Sequence, residues 1–411
     1  MGARARDRRD HDVLVLTRAG PARRYPRPGG PDGTAVRRDP RLRDRAARAP
    51  RRAPRLPHQR AADLDVTPAF IREAAAEALH RGETFYGPNR GIPELRDAIQ
   101  RYMRRIYGAE IEMDRIVASA SAMNALMIAI QCLVGAGDSA VVIGPVWPNA
   151  ENAIAAMGAE VRKVDLQVQP DGSWRLDLDR LVDACDATTR LIVVNSPSNP
   201  TGWMAGEDEL RGVLEHARAR GIWILADEVY ARIVYGRRYA PSFVTLATAD
   251  DPVVIVNSFS KSWSMTGWRL GWIIAPRELN VAIEKMTEFN ISHPTTFAQW
   301  GGVAALDRGD DYVDALVRRY AEAAELVYQR LSEVPRVRLS RPRSAFYAFF
   351  GVDGVTDSFG YAVELIRRAR VGLAPGVAFG AAGEGHLRLC FAASLPKLSQ
   401  ALDRLVPVLR G

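Results

Sequence analysis

The chain has 411 residues, 47% of them apolar and 25% charged, the composition of a globular protein with room for two domains. Three scattered cysteines exclude a disulfide-built scaffold, and six histidines without HExxH or Cys/His spacing give no metal site. The formal charge of +8 is uneven: residues 1–60 hold 18 arginines and six aspartates with neither lysine nor glutamate, so the remainder is slightly acidic.

That first segment is rich in Arg and Pro and lacks periodic apolar positions, so a disordered tail is expected there. It reads as a nucleic-acid-binding arm, as a solvated tail, or as text from a wrong start or reading frame in a GC-rich gene; nucleic acid is not the expected partner. No apolar run reaches membrane-spanning length, since Leu126–Val134 is short and broken by Gln131. The N-terminus carries no apolar signal core, so a cytoplasmic protein with reduced thiols is expected.

From Ala61 the texture changes. Thr67-Pro68 predicts a helix to about Leu79, with Thr67 as N-cap and Pro68 at the first helical position. A Gly/Pro loop through Tyr86-Gly87-Pro88 leads to Pro93, which starts a helix to about Tyr107. From Ile116 to Ser260 strands and helices alternate, with strands at 115–118, 139–144, 160–165, 190–195, 222–226 and 253–258 and helices at 122–135, 148–157, 177–185 and 206–219. Such alternation predicts a largely parallel sheet covered on both faces. Leu270–Ala275 is a further strand, and helices follow at 276–289, 294–307 and 309–333. A smaller α+β unit has strands near 336–339, 345–350 and 386–391 and helices near 357–369 and 395–408. The expected division is the tail at 1–60, a large domain at 86–289, and a small α+β domain built from 61–85 and 290–411.

Three stretches carry chemistry. Ser258-Phe259-Ser260-Lys261 and the following residues to Arg269 join two core strands. The chain has only four lysines, Lys163, Lys261, Lys285 and Lys397, and an amine kept at such a place can deprotonate, which a guanidinium cannot. Asn195-Ser196-Pro197-Ser198-Asn199-Pro200-Thr201-Gly202 follows an apolar strand, where open α/β sheets place ligands; alone it reads equally as a tight turn. Asp227 ends the strand Ile224-Leu225-Ala226, where a carboxylate needs a partner; alone it reads equally as a helix N-cap.

Together, in their order along the chain and approximate spacing, these stretches resemble the class I/II aminotransferases, pyridoxal 5'-phosphate enzymes of the aspartate-aminotransferase fold. The resemblance covers about residues 62–411. It implies a three-layer α/β fold with a mostly parallel central sheet plus a smaller α+β domain. It implies a transaminase that moves an amino group from an amino acid to a 2-oxo acid in a ping-pong cycle.

The same resemblance implies residue roles. Lys261 would join the cofactor aldehyde as a Schiff base and, once freed, carry the proton from the substrate α-carbon. Asp227 would pair with the pyridine nitrogen. Asn199 and Tyr230 would bond the phenolic oxygen. Arg269 would hold the phosphate, with Ser258 and Ser260 helping. Trp147 would stack on the cofactor ring. Ser121, Ala122 and Met123 look like the family's small-residue turn, whose amides bind phosphate at a helix N-terminus; Ala122 and Met123 replace its usual glycine and polar residue. Tyr86 would reach the phosphate of the other subunit, which implies a homodimer with shared sites, and Thr296 is a second cross-subunit candidate. Arg388 would clamp the substrate α-carboxylate, and Gly372–Gly380 would shape the mouth of the site. One departure is clear: Arg60–Val66 stands where the family carries a Gly-x-Pro-Asp-Phe-like segment.

Three rivals compete. Ser258-x-x-Lys261 matches the nucleophile motif of penicillin-binding enzymes, but Ser-Asp-Asn and Lys-Thr-Gly are missing and the stretch joins strands instead of opening a helix. A pyridoxal-phosphate-binding transcription regulator would need amphipathic helices in residues 1–60. A C–S lyase would keep the cofactor and change the reaction.

Overall fold

A computed structural model of the protein describes residues 66–411 and the short strand Leu14–Val15. The strands are β1 (Leu14–Val15), β2 (Ile116–Ser119), β3 (Ser139–Gly144), β4 (Glu160–Asp165), β5 (Gln167–Val168), β6 (Trp174–Arg175), β7 (Thr189–Asn195), β8 (Trp223–Asp227), β9 (Val253–Ser258), β10 (Gly271–Ile274), β11 (Val337–Arg338), β12 (Tyr347–Val352), β13 (Val371–Gly372), β14 (Ala374–Pro375) and β15 (His386–Cys390). The helices are α1 (Ala69–His80), α2 (Pro93–Tyr107), α3 (Ala122–Leu133), α4 (Asn149–Ala156), α5 (Leu178–Asp183), α6 (Glu207–Arg220), α7 (Phe259–Ser262), α8 (Asn280–Ile291), α9 (Thr296–Arg308), α10 (Asp310–Ser332), α11 (Ser358–Ala369) and α12 (Leu395–Arg410).

Seven strands form the central sheet in the order β2-β10-β9-β8-β7-β3-β4. Neighbours from β9 to β4 pair in parallel, and β10 runs antiparallel to both β9 and β2. The inner strands are apolar on both faces. Ile192, Ile224 and Ile255 point into one core with α2 and α6, while Val193, Leu225 and Val254 point into the other with α3 and α8. This alternation at period two is what a doubly covered sheet requires. The direction of β10 has a consequence for the site. A connection leaving the carboxyl end of β9 re-enters the sheet at that same edge, so residues 259–270 never cross a face.

The smaller sheet is antiparallel, in the order β11-β12-β15-β14. Leu365 of α11, Leu402 and Leu405 of α12, and Val327 and Leu331 of α10 pack with Phe350, Leu387 and Leu389 in its core. Its entry is fastened to the large sheet's loops. Ser344 Oγ donates to Gly202 O (2.7 Å), and Ala345 N donates to Ile233 O (2.8 Å).

Several expectations need correction. Thr67 does not cap α1; its hydroxyl donates to Ser264 O (2.7 Å) and accepts from Trp268 Nε1 (3.0 Å). That ties the chain to the segment after Lys261, and the helix starts at Ala69 after Pro68. The Lys261 stretch does open a helix, α7, because the Ser258 hydroxyl accepts from Ser260 N (3.1 Å). Phe259 and Trp263, four apart, share one side of this turn and pack on Trp272. The reading of residues 1–60 as a tail lies outside the described residues apart from β1, which pairs in parallel with β13 where the sequence predicts no element.

Candidate active site

The carboxyl edge of the central sheet collects the singled-out residues. Register places Asn195 beside Asp227, Asp227 beside Val256, and Ser258 beside Gly271, which in turn faces Ser119. Each strand therefore ends level with its neighbours and presents its next residues to one crevice.

Lys261 projects from α7 on the side away from Phe259 and Trp263. Its Nζ lies 5.8 Å from the ring centre of Tyr230 and 5.8 Å from that of Phe346. Burial pushes its ammonium below the usual lysine range, and the Arg388 and Arg269 guanidiniums act in the same direction. Asp227 and Cys390 act against them. The position thus favours a neutral amine.

Asp227 is pushed up to about 6 by burial. Its Oδ1 accepts from Val229 N (3.3 Å), and Lys261 lies near enough to lower it. The adjacent Glu228 is structural. It is buried, accepts from Ser242 Oγ (2.6 Å) and Phe243 N (3.1 Å), and burial pushes it up to about 7.

Arg388 on β15 is 4% exposed. Its Nη1 donates to Asn199 Oδ1 (2.6 Å), and its guanidinium stands 4.5 Å from the ring centre of Tyr347, 4.8 Å from Phe379 and 5.9 Å from Trp147. Its Nε is buried with no hydrogen-bond partner. Asn199 is itself held by its N–H to Asn195 Oδ1 (3.0 Å), and its carbonyl accepts from Trp147 N (2.9 Å). The 372–380 run reaches this wall, since Phe379 O accepts from Val146 N (3.2 Å).

The turn before α3 is tight. Ser121 has φ 97° and caps the helix by accepting from Asn124 N (3.3 Å). The amides of Ala122 and Met123 belong to the first turn, where N–H groups have no partner within a helix. Met123 is otherwise engaged, with Sδ accepting from Asn149 Nδ2 (3.2 Å). A Cβ at Gly271 would sit 2.9 Å from Ala122 N and 2.7 Å from Asn257 O, so only glycine lets this turn approach the sheet. Ser258 borders the same place.

Other residues stand further out. Arg269 is exposed in a left-handed conformation (φ 54°), with Nη1 on Thr266 O (2.7 Å). Ser260 is buried next to Lys261. Tyr86 is 88% exposed and touches only the edge of His293 among the aromatic rings described, so nothing among the described residues brings it to Lys261. Thr296 is buried, its hydroxyl donating to Phe85 O (3.4 Å), so it braces the Tyr86 loop.

The sequence reading missed Tyr347. Its hydroxyl is 2.8 Å from that of Tyr230. It missed Phe346 and Cys390 beside Lys261 as well, because apolar strands give no such signal.

The donor set fits pyridoxal phosphate. A buried carboxylate without a cationic hydrogen-bond partner suits the pyridine nitrogen, a helix N-terminus with a serine rim suits the phosphate, and the orphaned Arg388 Nε suits a substrate carboxylate.

The family model for aminotransferase class I and II matches residues 59–405. An aspartate aminotransferase of Pyrococcus horikoshii is 33% identical over 353 residues, 85% of this chain and 89% of that protein. A probable aspartate/prephenate aminotransferase of Aquifex aeolicus is 34% identical over 84% of this chain and 88% of its own length. The solved structure of an aromatic aminotransferase from Pyrococcus horikoshii superposes with a TM-score of 0.80 at 32% identity, covering 85% of this chain and 94% of that one.

Proposed function

The chain belongs to the class I and II aminotransferases, pyridoxal-phosphate-dependent enzymes, and on that footing we propose that Lys261, Asp227, Asn199, Tyr230 and Arg388 carry its transamination. The bound cofactor supplies an aldehyde carbon and an electron-accepting ring. Lys261 would hold that group, and its Nζ, as a neutral amine, would carry the proton from the substrate α-carbon. Asp227 would pair with the pyridine nitrogen and keep it protonated. Asn199 and Tyr230 would donate to the phenolic oxygen. The amides of Ala122 and Met123, with Ser121, Ser258 and Arg269, would hold the phosphate. Trp147 would stack on the ring, and Arg388 would orient the substrate by its carboxylate.

The observation that carries this reading is the Arg388–Asn199 bond. It joins the residue that would bind the substrate carboxylate to one that would bond the cofactor's phenolic oxygen, so the two groups flanking the reacting carbon would be held by one hydrogen-bonded pair. We further propose a homodimer in which Tyr86 reaches the partner's phosphate, supported by a tyrosine and Phe85 left more than four-fifths exposed. The three cysteines are free thiols, which supports a cytoplasmic setting. Among the described residues no helix is long and apolar enough to cross a membrane.

The test is a single half-reaction. Holoenzyme mixed with a panel of amino acids, aspartate, tyrosine and alanine among them, should release one equivalent of 2-oxo acid per site and no ammonia. Ammonia with pyruvate would mark a lyase instead.

A further inference from the structure

We propose that Tyr347 is a positioning residue that couples the carboxylate clamp to the hydroxyl of Tyr230, and so sets how strongly Tyr230 donates into the site. The proposal rests on the assignment of Tyr230 and Arg388 above and extends it to a residue outside that constellation.

Tyr347 touches both partners at once. Its hydroxyl lies 2.8 Å from Tyr230 Oη, with the two rings edge to face at 5.8 Å. Its ring face lies 4.5 Å from the Arg388 guanidinium, nearer than any other ring on that cation. Neither contact is free to drift. The residue is 6% exposed, and its strand pairs it with Cys390. Ser344 and Ala345, just before it, are fastened to Gly202 and Ile233. Ala345 is left-handed (φ 54°), which turns the chain into β12 at this point.

The direction of the shared hydrogen bond follows from charge. A guanidinium over a phenol ring withdraws electron density and makes its O–H the better donor. Tyr347 therefore gives its proton to Tyr230 Oη, which frees the Tyr230 proton for an acceptor in the crevice. A hydroxyl that accepts one hydrogen bond donates a stronger one onward. The charged and titratable groups facing Lys261 are Asp227, Arg269, Arg388, Cys390 and Tyr230. Of these, Tyr230 is the one whose donor strength Tyr347 controls.

A stronger donor at the phenolic oxygen stabilises that oxygen as an anion without help from the proton on the Lys261 nitrogen. Removing the Tyr347 hydroxyl should make that proton harder to lose. Tyr347→Phe keeps the ring on Arg388 and deletes only the hydroxyl. The experiment is a pH titration of the visible absorbance of the holoenzyme, run beside steady-state kinetics. In Tyr347→Phe the midpoint is expected to rise by about half to one pH unit, while KM for the amino acid changes less than about twofold because Asn199 still holds Arg388. Tyr347→Leu should add a rise in KM.

A midpoint in Tyr347→Phe within about 0.2 units of wild type, with Lys261 still covalently loaded, would overturn the coupling and leave the assignment of Lys261 intact. Loss of the Lys261 attachment as the fault would show differently, as no pH-dependent band in wild type.

Discussion

Arg388 and Asn199 meet at 2.6 Å although one lies on the smaller sheet and the other follows β7 of the central sheet. The Arg388 guanidinium, the proposed clamp for a substrate carboxylate, is therefore aimed by the loop that follows β7. Arg388→Lys keeps the charge, loses the fork, and leaves Asn199 Oδ1 without its donor. We expect kcat/KM for the amino donor to fall about 10- to 100-fold, mostly through KM, with cofactor absorbance unchanged. Full kcat/KM in that variant would refute the clamp.

Lys261→Arg tests the anchor. Phe259 and Trp263 hold α7 from the core side, so the fold should persist by circular dichroism. Borohydride treatment followed by peptide mass spectrometry should find the cofactor mass on Lys261 in wild type and none at that position in the variant. A fixed adduct on the variant's α7 peptide would contradict the assignment.

Asp227 gives a pH dependence with a definite sign. Its folded value of about 6 lies above the ordinary aspartate range. Its contribution to stability is complete below about pH 4 and is lost as the pH rises through the folded value. In cofactor-free protein that loss is on the order of 3 kcal/mol, and Glu228, held at about 7, adds a further loss at higher pH. Thermal melts of Asp227→Asn should therefore fall less between about pH 4 and pH 7 than those of wild type. An identical fall in both proteins would mean that burial does not raise this carboxyl.

Gly271→Ala places a methyl against Ala122 N and Asn257 O, both backbone atoms that cannot swing aside. Denaturant unfolding should report a loss of about 2–4 kcal/mol, together with weaker cofactor binding as α3 is pushed back. A change under about 0.5 kcal/mol would show that the turn has more room than its geometry allows.

Tyr86 is tested by hybrid subunits. Tyr86→Ala and Lys261→Ala proteins, mixed and exchanged, should give more activity than Tyr86→Ala alone at equal concentration, because one site of each hybrid is then whole. No gain after verified exchange would place Tyr86 in its own subunit's site.

The alternation of strands and helices was legible because each inner strand carries an unbroken run of at least three apolar residues. Asp227 stood out because a charge ending an apolar strand demands a partner, Lys261 because a rare lysine sits on a connection between two core strands, and Arg388 only through its match to the family pattern. Tyr347 did not. In Ala345-Phe346-Tyr347-Ala348-Phe349-Phe350 an aromatic reads as core, and its hydroxyl finds Tyr230 only through tertiary packing. Thr67 misled for a related reason: a threonine before a proline is a good cap locally, but Ser264 and Trp268 compete for its hydroxyl across the fold.

The orphaned Nε of Arg388 has a thermodynamic reading. A buried donor without an acceptor lowers the folded state's margin, and any small acid that supplies an oxygen there restores it. Melting temperature then becomes an affinity scale: a ligand at a hundred times its Kd adds about 2.7 kcal/mol. Non-reacting carboxylic acids, ranked by melting shift alone, would report which side chain this crevice accepts before any turnover is measured.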